Sequence, residues 1–565
     1  MLPYATESFT AEERAILRHY VTDLEGPVFA LVNLPEVVRG ALFARYSRSS
    51  KSLRRLFLDE FVSDLDVTGD ASLDATVGLR RAEELYQRIF GEYGDDSVAQ
   101  LGGVHLACEQ ASNVLTKVLE WGRLMSYLEQ STRYIPYDTR LPTGHYRYYR
   151  DPEILDSPLG ARYVGEMDRM FDTYGALLPR LHAHLLRAFP NTGEVAEIAY
   201  RQSVRARALD ALRGLLPAGA LSNVGIYGSG QAYEALLLRM RAHPLPEVRR
   251  YGALILTELR KVIPSFLTRI DRPERGGLWS AYLAERREET AALVARLWPE
   301  RDAAGEEPPV EEVRLLDYDP DGEDKVLAAI CFPDASVSEA ALARRVAALG
   351  AGERAALLGA YVGERANRRH KPGRAFERTG YRFEVVSDYG AFRDLQRHRM
   401  LTVEWQPLGT ALGYAVPDLV AQAGLEAEYR DSLERAAQLH ETLTAAFSDQ
   451  ASYAVALAFR IRYVLQLNAR EAMHLIELRS GPQGHPAYRR IAQEMHRLIA
   501  QEAGHHGLAA AMSHVDYSDN GLGRLDAEAR AHARRAGRAP GSGSGEDSGD
   551  QRAATLDAER AAGHE

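Results

Sequence analysis

Two stretches of this chain read as copies of one another, and a duplicated pattern obliges the chain to fold as two similar lobes. Arg399-Met400-Leu401-Thr402 can be laid on Arg123-Leu124-Met125-Ser126, which puts Gln406 on Gln130. A second pair follows at Pro246-Glu247-Val248-Arg249-Arg250-Tyr251 and Pro486-Ala487-Tyr488-Arg489-Arg490-Ile491. The interval between paired segments is shorter in the second copy, and the difference falls naturally on a Tyr-rich stretch, 134–156, that the second copy lacks. The copies are chemically unequal. The first keeps Glu129-Gln130-Ser131-Thr132-Arg133 where the second has Trp405-Gln406-Pro407-Leu408-Gly409, and the second keeps Arg397-His398-Arg399 where the first has Trp121-Gly122-Arg123.

At 565 residues, 45% hydrophobic and 26% charged, the chain can bury cores in two or more domains. A formal charge of −10 gives no long basic track for nucleic acid, so any anion site must be local. No stretch approaches a membrane span and no signal-peptide pattern opens the chain, so a cytoplasmic protein with no membrane or nucleic-acid partner is expected. Cys108 and Cys331 lack metal-type spacing and read as small hydrophobes; no metal site is expected.

Helical periodicity marks Ala11–Leu58, Arg80–Phe90 and Ser97–Leu128, then Tyr163–Phe189, Val195–Leu216, Gln231–Arg241 and Leu245–Pro264. Pro136 ends the helical pattern before the extended Tyr-rich loop. The polar 301–309 segment suggests a boundary. Beyond it Val313–Tyr318 opens as a strand, Glu323–Cys331 as a helix and Tyr381–Val386 as a strand; Tyr389–Leu401 and Leu419–Leu478 return to helix. The expected organisation is α+β, an internal pseudo-dimer of two related helix-rich halves, each around a small, mostly antiparallel sheet. Its divisions are 1–300, a linker 301–312, 313–525, and a disordered tail 526–565 rich in Gly and Ser.

Arg397-His398-Arg399 places two guanidinium groups and an imidazole side by side, a local positive field suited to phosphate, or else a solvated helix face. Arg470, His474 and Glu477 recur at helical spacing and form either a surface ion-pair ladder or one wall of a charged cleft. Glu129, Ser131 and Arg133 alternate, so an extended segment would point all three one way, toward a sugar phosphate or toward solvent.

Taken together these segments resemble the flavin-dependent thymidylate synthases, marked by R-H-R-x-x-S-x-N-E-x-S-x-R-Y. The second half matches the R-H-R at Arg397, His398 and Arg399, and a later N-x-R segment at Asn468, Arg470, His474, Glu477 and Arg479. The first half matches the closing part at Ser126, Glu129, Ser131, Arg133 and Tyr134, and Arg213-Gly214-Leu215-Leu216-Pro217 is similar to the family's A-R-x-x-L-P turn. Pro407 and Gly409 depart from the family's Ser and Arg, Trp121-Gly122 from its Arg-His, and Ser229-Gly230-Gln231 from its Asn-x-Arg, so neither copy carries a whole site.

The resemblance implies sites shared between subunits of a tetramer. Here one composite site would join the two halves, and two chains would pair as a pseudo-tetramer. It implies reductive methylation of dUMP, with methylenetetrahydrofolate as carbon donor and FAD, reduced by NADPH, as hydride carrier. Glu129, Ser131, Arg133, Arg397 and Arg470 would bind dUMP, with Arg470 polarising the uracil. Arg397, His398, Arg399, Glu377, Asn468 and His474 would hold FAD. A degenerate flavin- or nucleotide-binding scaffold, or a flavoenzyme for another pyrimidine nucleotide, is the competing expectation.

Overall fold

The computed structural model describes residues 7–34, 49–60, 103–191, 196–298 and 312–518, with isolated positions besides. The expected helix Arg80–Phe90, the linker save Glu312 and the tail save Ala529 lie outside the described residues.

Each half holds a four-stranded antiparallel sheet. In the first, β1 (Val28–Leu31), β2 (Gly103–Ser112), β3 (Met125–Glu129) and β4 (Leu221–Ser229) lie in the order β1-β2-β4-β3. Helix α1 (Asn113–Leu119) joins β2 to β3, α2 (Gly160–Ala188) and α3 (Glu197–Leu212) precede β4, and α4 (Gly230–Arg241) and α5 (Pro246–Arg260) follow it. In the second half β5 (Val313–Tyr318), β6 (Gly380–Asp388), β7 (Leu401–Trp405) and β8 (Arg460–Asn468) repeat that order as β5-β6-β8-β7. Helix α6 (Tyr389–Leu395) stands where α1 does, α7 (Glu426–Thr444) precedes β8, and α8 (Ala469–Arg479) and α9 (Pro486–Gln501) complete the copy.

The registers coincide. Met125 faces Gly228 where Leu401 faces Leu467, and Gly103 faces Ser229 where Gly380 faces Asn468. Ser229 and Asn468 then do the same work: each caps the next helix by accepting a backbone N–H, from Ala232 at 3.3 Å and from Glu471 at 2.9 Å. Pro246 and Pro486 open α5 and α9 at positions where a missing N–H costs nothing.

Several expected helices are broken by strands. Ala11–Leu58 contains a helix at Ala11–Leu17, strand β1 and a helix at Leu53–Glu60. The described part of Ser97–Leu128 is β2, α1 and β3; β2 is covered on both faces, so its buried run lacks the alternation that marks a half-exposed strand. Strand β8 interrupts Leu419–Leu478 although Ile461, Tyr463, Leu465 and Leu467 do alternate with exposed or half-buried residues. Strand β4 was hidden by its glycines: a Cβ on Gly228 would stand 2.6 Å from Met125 Cε, so the glycine leaves room for the methionine side chain packed over it. The shortening of the second copy is only partly in the Tyr-rich loop. Where the first half runs through α2 and α3, the second has α7 and the short turn Gln450–Ala454.

The halves meet around a pseudo-two-fold axis, along which each contact is answered by its equivalent. Ala218 N donates to Val455 O at 2.7 Å and Leu457 N to Leu216 O at 2.8 Å; Gly219 N donates to Tyr453 O at 2.9 Å and Ala458 N to Gly214 O at 2.9 Å. Arg123 reaches Thr402 Oγ1 at 2.8 Å while Arg399 reaches Ser126 Oγ at 3.0 Å. This reciprocity defines an isologous interface, here inside one chain. Equivalent helices α2 and α7 pack together, with Met167, Phe171 and Leu177 in one core with Tyr429, Leu433 and Leu439, and Glu166 accepts Arg435 at 3.0 Å.

Glu247 ties the seam from beneath. Buried at the start of α5, it accepts Ser112 N at 3.0 Å, Ser112 Oγ at 2.6 Å and the Tyr453 hydroxyl of the other half at 2.8 Å. Burial nevertheless pushes its carboxyl up to about 7, against an ordinary value of 4.5. The folded state therefore holds a proton that the unfolded chain releases first. Stability contributed at low pH is lost as pH rises from about 4.5 to about 7, by roughly 3 kcal/mol. Urea unfolding at pH 5 and pH 8 is expected to show this loss, and Glu247→Gln to reduce it by about 2 kcal/mol or more. Parallel pH profiles for the two proteins would exclude Glu247 as the source.

Candidate functional site

A cavity of about 320 Å³ opens at the seam, walled by both halves. The first contributes the turn after β3, from Glu129 to Arg133, and Arg213 at the end of α3; the second contributes α6, Arg397, the end of α8, the turn 481–484 and Tyr488 on α9. Six arginines line it (Arg133, Arg213, Arg368, Arg393, Arg397, Arg479) against four carboxylates (Glu129, Asp394, Glu477, Asp516), so the space favours an anion.

The carboxylates brace the arginines. Glu129, at the end of β3, accepts Arg393 of the other half at 2.7 Å and lies 3.4 Å from Lys117. Burial alone would raise its carboxyl, but Arg393, Lys117 and Arg397 more than reverse this and hold it at about 2. Asp394 is buried too, and Arg397, Arg213 and Arg479 keep it well below the usual carboxylate range. Asp210 takes Arg133 bidentately at 2.5 and 2.7 Å, and Arg133 further donates to the Tyr488 hydroxyl at 2.9 Å. Arg133 and Arg479 sit 5.9 and 5.4 Å from the Tyr488 ring centroid, so one phenol steadies two cations. Four guanidinium nitrogens keep no protein acceptor although buried: Arg213 Nε and Nη2, Arg393 Nε and Arg397 Nε. Buried donors without partners are costly, and an oxyanion in the cavity supplies what they lack.

Of the residues expected from sequence to bind nucleotide, Glu129, Ser131, Arg133 and Arg397 all line this cavity. They do so from a turn rather than an extended segment, with the Ser131 hydroxyl accepting Arg133 N at 3.3 Å. Arg470 does not line it. Its Nε donates to Pro372 O at 3.0 Å and its Nη1 lies 3.7 Å from Glu377. Arg479 is about two and a half turns further along α8, on the opposite face, and is the arginine of that helix that lines the cavity. Arg213 stands out from sequence only as part of a family-like turn and Tyr488 only within a repeated segment, and Arg393 and Asp394 not at all. The signal for two of them was available: Arg393 is four residues before Arg397 and Asp394 three, one helical face.

The residues expected to hold FAD gather beside the cavity, at the start of α8. His398 is buried between Glu471, 3.0 Å from Nδ1, and Arg479, whose Nε donates to Nε2 at 3.0 Å. Its ring lies 5.4 Å from that of His474. Burial, with Arg479, Arg397 and Lys371 nearby, holds His398 well below its ordinary value; burial and His398 hold His474 at about 3. Both imidazoles are therefore neutral. Arg399 spans the axis, Asn468 caps α8, and Glu377 joins Arg374 at 3.0 Å. His398, Glu471 and His474 bring one ligand atom each within 4.8 Å, but Arg479 occupies His398 Nε2 and Lys371 and Arg470 add positive charge, so the pocket suits an anion better than a metal ion. The donors present fit a flavin nucleotide, whose diphosphate needs cations and whose ring needs neutral partners.

The positions equivalent to the charged cavity across the axis are mostly apolar, with Lys117 in the place of Arg393. Trp405 and Pro407 stand in the positions of Glu129 and Ser131, Gly409 in that of Arg133, and Trp121, Val118 and Met240 in those of Arg397, Asp394 and Arg479. The two tryptophans meet edge to face at 5.6 Å, and Trp405 also packs on Phe392.

The ion-pair network predicts a specific fragility. Glu129→Gln removes the charge that neutralises buried Arg393, and urea unfolding at pH 7 is expected to show a loss of about 3 kcal/mol. A loss under about 1 kcal/mol would mean that solvent already screens the pair.

Comparison with known proteins agrees with the duplication. The family described as "Thymidylate synthase complementing protein" matches residues 41–265 and 314–504. A UPF0159 protein of Chlamydia muridarum is 41% identical over 530 residues, 93% of this chain and 99% of that protein. One from Thermoplasma acidophilum is 34% identical over 526 residues, 88% and 99% respectively. Among solved structures, the UMP/dUMP methylase PolB from Streptomyces cacaoi, bound with 5-Br dUMP, is 18% identical, covering 35% of this chain and 94% of its own. Its TM-score is 0.29, too low for its geometry to be carried over.

Proposed function

As the chain belongs to the thymidylate synthase complementing protein family, we propose that it methylates dUMP to dTMP in one composite cavity at the seam between its halves. The observation that carries this reading is the set of arginines, Arg133 and Arg213 from the first half and Arg393, Arg397 and Arg479 from the second, that line one space sized for a nucleotide. Ser131 and Arg133 hold the 5′-phosphate. Asp210 and Tyr488 fix Arg133 so that little freedom is lost when phosphate arrives. Glu129 keeps Arg393 charged and in place.

Arg479, rather than Arg470, polarises the uracil. Its side chain is only 13% exposed and lies against Tyr488, and in such a water-poor setting a fixed cation opposes developing oxyanion charge far better than in solvent. Arg397 lines the cavity, and the adjoining His398 is neutral and held by Glu471 and Arg479. Arg399, Arg470, Asn468, Glu377 and His474 would hold FAD, which would supply the hydride that NADPH provides, and methylenetetrahydrofolate would supply the carbon. Leu124 and Met400, equivalent positions 71% and 68% exposed, support pairing of two chains into a four-lobed particle, which sedimentation would read as twice 62.7 kDa.

The test is dTMP formation from dUMP, NADPH, methylenetetrahydrofolate and FAD, with calorimetric dUMP binding beside it. One dUMP is expected per chain. Arg133→Ala and Arg479→Ala are expected to retain no more than about 1% of turnover. Arg470→Ala is expected to weaken flavin retention while dUMP binding stays within about twofold. Normal turnover in either of the first two variants refutes the composite site.

A further inference from the structure

A second cavity, of about 360 Å³, lies at the seam and shares Arg213 with the first. Its counterpart across the pseudo-axis is filled. There the rings of Tyr149 and Tyr453 pack 5.0 Å apart and Tyr453 donates to Glu247. The equivalent positions here are Ala415, Gly214 and Ala487. Matching backbone contacts fix the correspondence: Tyr149 N donates to Gly219 O as Ala415 N does to Ala458 O, and the Tyr148–Ala220 bridge repeats as Tyr414–Phe459. Gly214 and Tyr453 are the paired acceptors of the reciprocal seam bonds, and Glu247 and Ala487 each follow the opening proline of their helix. Three side chains that fill one locus are reduced to Ala, Gly and Ala in the other.

What remains in the open locus is polar at its inner end. Tyr163, on the filled side, donates its hydroxyl to Tyr149 O at 2.6 Å. Its equivalent Tyr429 is fully buried and its hydroxyl has no partner. Arg213, 4% exposed, adds its unpartnered Nε and Nη2. A Cβ on Gly214 would stand 2.2 Å from the Tyr429 hydroxyl, so glycine is what keeps that hydroxyl at the cavity wall. None of the three carboxylates in the wall bonds to these donors: Asp210 is engaged by Arg133, Asp388 Oδ1 accepts Ala391 N at 2.9 Å, and Asp418 is likewise no partner of theirs. Val416, Leu419, Leu457 and Pro486 supply apolar sides.

We propose that this cavity binds a small monocarboxylate with an apolar body, its carboxylate held by Arg213 and Tyr429 and its body lying among Val416, Leu419 and Leu457. The proposal goes beyond the nucleotide reading and does not depend on it. Arg213 also lies 3.4 Å from Asp394, so an occupant here engages a residue that borders the other cavity.

Calorimetric titration of the full chain with benzoate tests it. One site per chain is expected, with a dissociation constant below about 1 mM. Benzamide, isosteric but neutral, should bind at least about tenfold more weakly, and Tyr429→Phe should weaken benzoate about tenfold. Ala415→Tyr, which restores the side chain found on the filled side, should abolish binding in a protein whose thermal unfolding remains cooperative. Should that variant not fold, the wild-type and Tyr429→Phe titrations decide. The proposal is overturned by no saturable heat up to about 10 mM benzoate, by equal affinity for benzamide, or by binding that Tyr429→Phe leaves unchanged.

Discussion

Four backbone hydrogen bonds across the seam, exchanged between residues 214–219 and 453–458, are the constraint from which the site follows. They lock two short segments antiparallel at the Pro217–Ala456 bridge, with no side chain involved, so the register of one half on the other does not depend on the sequence differences between them. That register sets Arg213, just before the exchanging segment, against Asp394 on α6, and lays the turn after β3 beside Tyr488 on α9. Loss of the exchange would separate the two walls of the cavity, since the arginines that line it belong to both halves.

A two-fold arrangement offers the same location twice, yet the charge is gathered in one. Six buried or half-buried arginines require neighbouring carboxylates, and isolated members of such a network would be expensive to bury. Across the axis it is mostly lost: Trp405, Val118, Trp121 and Met240 replace charged residues, while Lys117 keeps a buried cation in the place of Arg393, paired with Glu120 and Glu129, and the tryptophan pair recovers packing where ion pairs were given up.

Much of this architecture was legible because register leaves marks in sequence. Arg123 and Arg399 aligned correctly before any sheet was known, since each begins the strand whose first residues, Met125 and Leu401, occupy the same place in their sheets. The helix-opening prolines were legible for the same local reason. What was hidden depends on long-range packing. Strand β2 is buried on both faces and carries no alternation, and β4 is thinned by glycines that accommodate Met125. Glu129, Ser131, Arg133 and Arg397, named from motif position, line the seam cavity. Arg479 rather than Arg470 lines it from α8, because which face of that helix meets the other half is decided by the seam and not by the helix itself. Tyr488 is invisible for a similar reason: its importance comes from the two guanidinium groups that flank it, brought from different halves.

Duplication within one chain also frees positions that a true homodimer must keep identical. In a symmetric pair, residue 214 could not be glycine on one side of the axis and tyrosine on the other. Here Gly214 admits the Tyr429 hydroxyl while its equivalent Tyr453 closes over Glu247. The same holds for Arg397 and Trp121. Each half can therefore specialise, one locus toward stability through the buried, packed rings of Tyr149 and Tyr453 and the other toward unpartnered donors that lower stability until a ligand satisfies them. The apolar locus offsets part of what the charged locus costs, and the seam bonds transmit that support because they make both loci parts of one cooperative interface.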